Sequence, residues 1–101
     1  MFQPHLFTRT RDFAEDFARS LELLDSLILL EIYPAREKKI PGIDAKMLLD
    51  KIHLQNKMIA GKADLLNHLN DAKPGVLLTL GAGDIDQLVQ PIRDFFINQD
   101  K

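Results

Sequence analysis

The sequence predicts an α/β fold: a small three-layer, Rossmann-like domain with a mostly parallel sheet of about four strands and helices on both faces. Three observations carry this. Leu27-Ile28-Leu29-Leu30 and Val76-Leu77-Leu78-Thr79-Leu80 are short, nearly continuous apolar runs. They lack the alternation of a half-exposed strand and read as strands covered on both faces. Other segments carry apolar residues every three or four positions, which is the helical period. The two kinds alternate along the chain as β-α-β-α-β-α-β-α, and that order calls for parallel strands joined by right-handed crossovers.

Phe2 to Pro4 reads as the end of a strand, since proline fits a strand's exit better than a central ladder. The first helix is expected with Thr10 as N-cap, Asp12 and Glu15 in its first turns, and an end near Leu23. Phe13, Phe17, Leu21 and Leu24 would form its buried face. Ser26 to Glu31 is the second strand. Tyr33 to Ile43, with Pro34, Pro41 and Gly42, is a loop. Asp44 caps a helix reaching His53, with Met47, Leu48 and Ile52 inward. Lys57-Met58-Ile59 is a short strand, and Lys62 to Ala72 a helix with Leu65, Leu66 and Leu69 inward. Lys73-Pro74-Gly75 turns the chain into the strand Val76 to Leu80. Ile85, Leu88, Val89, Ile92 and Phe96 then repeat at helical spacing. Pro91 costs about 3 kcal/mol in a helix interior but fits a first turn, so two helices should meet near Gln90.

At 101 residues the chain has the size of one domain, taken as residues 1–101. Apolar residues make up 46% and charged residues 28%, so a core is affordable and disorder is not indicated. The net charge of −2, with both signs interspersed, offers no stripe for nucleic acid and no polybasic membrane patch. No run approaches the roughly 20 apolar residues of a membrane span, and Phe2-Gln3-Pro4-His5 is not a signal peptide. Cysteine is absent, which excludes disulfides and thiolate metal sites and fits a cytoplasmic location. His53 and His68 lack close partner ligands, so no metal site is expected. Met47 and Met58 read as core fillers.

Three segments fall just beyond strand ends, where a parallel sheet places its chemistry. His5, Thr8, Arg9 and Thr10 gather between the first strand and helix. The Arg9 guanidinium is a planar fork for a carboxylate or phosphate; the same residues also read as a capped helix with a solvated arginine. Gly81-Ala82-Gly83-Asp84 follows the last strand. Its glycines allow backbone amides to approach an anion, although Asp84 at the next helix's N-terminus competes with one. No Gly-Lys-Ser/Thr follows, so it is not a P-loop; a plain β-α turn is the other reading. Tyr33 and Arg36 lie on a charged loop that either lines a site or simply connects.

Phe2-Gln3-Pro4-His5 with Thr8-Arg9-Thr10, then Tyr33-Pro34-Ala35-Arg36-Glu37, then Leu80-Gly81-Ala82-Gly83-Asp84-Ile85, taken together and in this order, resemble the C-terminal domain of Mur ligases of the L-alanine-adding branch. The likeness runs from Phe2 to about Arg93. It implies a part in peptidoglycan synthesis: ATP, with Mg2+, activates the lactyl carboxylate of UDP-N-acetylmuramate, and the amine of L-alanine attacks the acyl phosphate. It implies that His5 and Arg9 lie near the L-alanine carboxylate, with Gly81, Ala82 and Gly83 lining the same pocket. Thr8, Tyr33, Arg36 and Asp84 are further candidates for the lining, with no catalytic residue and no metal ligand in the chain. Many members carry an arginine where this chain has Leu6; either Arg9 then bears more of the carboxylate contact or a residue elsewhere compensates.

The family's P-loop, magnesium-binding acids and carbamylated lysine have no counterpart here, nor does the strand and helix that open its third domain. The resemblance therefore implies a domain fragment that binds ATP and Mg2+ mainly through missing parts and is inactive alone. Its substrates would be L-alanine, UDP-N-acetylmuramate and ATP, in a bacterial cytoplasm, with no nucleic acid or membrane partner. Two other classes stay open: a stand-alone module for a small anion or nucleotide, and an interaction protein docking through its sheet edge or an uncovered apolar face.

Overall fold

Side-chain alternation in the second strand sets the layers. In the computed structural model, which describes residues 1–99, β2 (Leu27–Leu29) is buried throughout. Leu27 and Leu29 enter one apolar cluster, while Ile28 and Leu30 enter another on the opposite face. A strand with period-two side chains can do this only if both faces are covered. Asp100 and Lys101 of the expected domain lie outside the described residues.

Among the described residues the sheet has four strands in the order β3-β2-β1-β4, all pairs parallel. β1 is Phe2–Gln3, β3 is Lys57–Ile59 and β4 is Leu80–Gly81. α1 (Phe7–Leu21) and α2 (Ala45–Lys51) cover one face. α3 (Leu65–Ala72), a 3-10 turn (Asp84–Leu88) and α4 (Val89–Gln99) cover the other. The expected α/β fold with helices on both faces is therefore observed. Asp44 caps α2 as expected, its Oδ1 accepting from the Met47 N–H at 2.8 Å. Pro91 falls in the first turn of α4, just after the 3-10 turn ends, so the expected meeting of two helices is present.

Three expectations are corrected. Thr10 is not an N-cap. The helix begins at Phe7, and Thr10 is fully buried in it, with its hydroxyl donating to the Leu6 carbonyl at 2.8 Å. The first turn is capped instead by Glu37, whose carboxylate accepts from the Thr8 N–H at 3.1 Å and the Thr8 hydroxyl at 2.6 Å. Phe13 does not face the core; it is 51% exposed and sits at a kink, with φ −116° and ψ 17°. The buried stripe runs Phe7, Thr10, Ala14, Ala18, Leu21, where small residues let the helix lie close to the sheet. The strand expected at Val76 to Leu80 is ordered as a ladder only at Leu80–Gly81. Leu77 packs inward, but Val76 is 83% and Leu78 53% exposed. β4 is an edge strand, and the α1–α2 layer does not extend over it.

Candidate functional site

β1 and β4 are neighbours whose following helices pack on opposite faces of the sheet. This is the switch point of a doubly wound sheet, where a crevice opens at the carboxyl ends of the strands. Gln3 ends β1 there. It is 4% exposed, and its one amide satisfies two groups of the β4 turn. Its Nε2 donates to Asp84 Oδ1 at 2.7 Å, and its Oε1 accepts the Ile85 N–H at 2.9 Å. The other carboxylate oxygen of Asp84 is ion-paired to Lys62, from the turn after β3. Asp84 therefore does not cap the helix that follows; its charge is turned toward Gln3 and Lys62.

The two glycines of the turn are required by packing. A Cβ on Gly83 would stand 2.5 Å from Tyr33 Cγ and 2.8 Å from Gln3 Oε1. One on Gly81, where φ is +154°, would stand 2.8 Å from the Gln3 carbonyl oxygen. Gly83→Ala is thus expected to cost about 1–3 kcal/mol, the usual range for overpacking, and to displace Tyr33. Chemical denaturation together with the ring resonances of Tyr33 would check both effects.

Tyr33 joins the second expected segment to the first. Its N–H donates to the Pro4 carbonyl and its carbonyl accepts the Leu6 N–H, both at 2.8 Å. Its ring stacks on His5 with centroids 5.7 Å apart and planes 13° from parallel. His5 Nδ1 is buried without a hydrogen-bond partner. The backbone is strained on both sides of this stack, with φ +68° at Leu6 and +53° at Ala35; such outliers persist only where the surroundings hold them.

Glu37 straps the Tyr33 loop onto α1. The Thr8 hydroxyl, with the N–H groups of Thr8 and Phe7 and the charge of Arg11, holds its carboxyl below the ordinary 4.5, against an opposing desolvation effect. A depressed folded value means that the strap's contribution is present above 4.5 and is lost as the pH falls through the folded value. Following the Thr8 amide and the Glu37 side-chain carbonyl through an acid titration should show the two moving together.

His5, Tyr33, Gly83, Asp84 and Gly81 are therefore contiguous, linked through Gln3. Thr8 is engaged by Glu37. Arg9, Arg36 and Ala82 are exposed. Gln3, Lys62 and Glu37 were not among the expected site residues. Gln3 was visible as the one polar side chain inside β1, and Lys62 as a cation just past the end of β3. Behind Tyr33 and Asp84 a cavity of about 240 Å³ has Gln3, Glu31, Tyr33, Ala60, Lys62 and Asp84 in its lining. Among the described residues no helix is long and apolar enough to cross a membrane.

No family model matches the chain. Curated relatives do. It is 52% identical over 99 residues to UDP-N-acetylmuramate–L-alanine ligase of Parabacteroides distasonis, covering 98% of this chain and 21% of that protein. The ligase of Porphyromonas gingivalis is 52% identical over 96 residues, 94% of this chain and 21% of the relative. That of Cytophaga hutchinsonii is 53% identical over 93 residues, 92% and 20%. The chain thus spans about a fifth of the length of these relatives. Over nearly its whole length, it is similar to about a fifth of UDP-N-acetylmuramate–L-alanine ligases.

Proposed function

We propose that residues 1–101 form the C-terminal, substrate-closing domain of an ATP-dependent ligase that joins L-alanine to UDP-N-acetylmuramate in peptidoglycan synthesis in a bacterial cytoplasm. The observation that carries this reading is the likeness at 52% identity along 98% of the chain to one fifth of such a ligase. The crevice supports it. His5 and Tyr33 form a stacked wall beside the Gly81–Gly83 turn. Arg9, exposed in the first turn of α1, is free to meet a substrate carboxylate at the rim. A bidentate guanidinium fixes a carboxylate in orientation as well as position, which shortens the search for an attack geometry. Thr8, Arg36 and Asp84 complete the rim in this reading.

ATP and Mg2+ belong to the proposed reaction, but the residues here do not fit the metal. The described residues contain no group of three or more His, Asp or Glu able to hold one. We therefore assign phosphoryl transfer to parts of the ligase outside this chain, and amino-acid positioning and closure to this one.

The chain alone should show no ADP release dependent on UDP-N-acetylmuramate and L-alanine. A coupled ADP assay with magnesium tests this, and turnover above the enzyme-free rate overturns the division of labour. A chain that binds ADP or inorganic phosphate but neither ligase substrate would instead point to a stand-alone anion-binding module.

A further inference from the structure

We propose that Arg36, Lys38 and Lys39 form a cationic corner that takes the phosphoanhydride chain of a nucleotide, its di- or triphosphate. The ligase reading put Arg36 at the rim without a ligand; the proposal rests on that reading for Arg36 and adds two lysines to it.

The sequence mixes signs here, as Arg36-Glu37-Lys38-Lys39, and the fold separates them. Glu37 is half-buried, and its two carboxylate oxygens are held at the start of α1 by the Thr8 N–H and the Thr8 hydroxyl. Arg36, Lys38 and Lys39 are exposed and make no ion pair among the described residues. The same holds for Arg9, next to Thr8 in the chain. The acids that flank these segments are engaged as well. Asp12 pairs with Arg11, Asp44 caps α2, and Glu31 accepts the Ala45 N–H at 3.4 Å. The net charge of −2 hides this sorting.

The corner is set before a ligand arrives. The Glu37 N–H donates to the Pro34 carbonyl at 2.9 Å, which closes a turn, and Tyr33 is bonded to Pro4 and Leu6 at the exit of β1. A loop fixed in this way loses little freedom on binding. Valence then selects the ligand. One exposed cation adds little to the binding of one anion. Several cations on one fixed turn act together only on a ligand that carries several charges along one chain. A phosphoanhydride does so, and its oxygens suit the arginine fork. A single carboxylate would leave the other cations unpaired.

The test is an amide-resolved NMR titration of the 101-residue chain at low salt, where surface charges are least screened, with pyrophosphate, orthophosphate and acetate. Pyrophosphate should shift Arg36 to Lys39 and bind at least fivefold more tightly than orthophosphate, and acetate should not shift them. Lys38→Gln combined with Lys39→Gln should weaken pyrophosphate at least tenfold, while Lys73→Gln, exposed on another turn, leaves it within twofold. ADP and UDP-N-acetylmuramate tell the two sources of the anhydride apart: the one that matches pyrophosphate and weakens in the double variant is the ligand, and a match by neither overturns the proposal. Orthophosphate binding as tightly as pyrophosphate overturns it too, as do shifts spread equally over Lys51 and Lys73. No pyrophosphate response, with L-alanine still shifting His5 and Arg9, overturns the proposal and leaves the ligase reading standing. Pyrophosphate and ADP bound at the corner, with no response to L-alanine or UDP-N-acetylmuramate, keep the site and remove that reading.

Discussion

Gln3→Glu is expected to destabilise the domain by about 3–5 kcal/mol at neutral pH, the scale of an uncompensated buried charge. The substitution is nearly isosteric, yet it replaces the donor that holds Asp84 Oδ1 with a second carboxylate oxygen. The Ile85 N–H keeps its acceptor, so the cost comes from charge repulsion and desolvation rather than from a lost turn. The sign of the pH dependence follows. Burial and the Asp84 charge raise the folded pKa of the introduced carboxyl above its unfolded value. The folded chain then binds the proton more tightly, and the penalty is smallest in acid and grows as the pH rises through that folded value. Urea denaturation of both chains between pH 4 and 8 would show the gap widening with pH; a constant gap would mean that the amide matters only for its shape.

Leu29→Ala should cost about 2–5 kcal/mol, the range for truncating a buried leucine. Leu29 has no exposed surface and sits in β2, with β1 on one side and β3 on the other. It packs toward α1 and α2, so the cavity left behind is walled by elements that are fixed on the sheet. Domains of this size are stable by only about 5–15 kcal/mol, so this one change removes a large part of the margin. Thermal unfolding followed by circular dichroism is a sufficient measurement. A shift no larger than that of an exposed control such as Leu23→Ala, where the side chain is 87% exposed, would contradict the layer assignment.

The parallel sheet was legible because burial on both faces leaves its mark in consecutive residues, as in Leu27 to Leu30. α2 was legible because Asp44 caps it from the adjacent position. The start of α1 was not, because its cap comes from Glu37, 29 residues from Thr8 in sequence. Its inner face was legible in part: Phe17, Leu21 and Leu24 join the core as expected, whereas Phe13 is exposed at a kink and the small Ala14 and Ala18 take the close approach to the sheet. Val76 to Leu80 has strong strand chemistry, but the ladder depends on what lies beside it, and only Leu80 and Gly81 pair with β1. In the group around Gln3, Tyr33 and the glycines stand out from local pattern, whereas Lys62 does not, because its ion-pair partner Asp84 is 22 residues away.

The bare edge at β4 also bears on how this chain behaves in concentrated solution. Val76, Leu78 and Leu80 are 83%, 53% and 41% exposed. Exposed apolar residues on a strand that is at the sheet's edge among the described residues are a template for strands from other molecules. A net charge of −2 spread over 101 residues supplies little repulsion to keep such edges apart. The same sheet that opens a crevice at one end of its strands thus leaves, along one border, the place from which precipitation would begin.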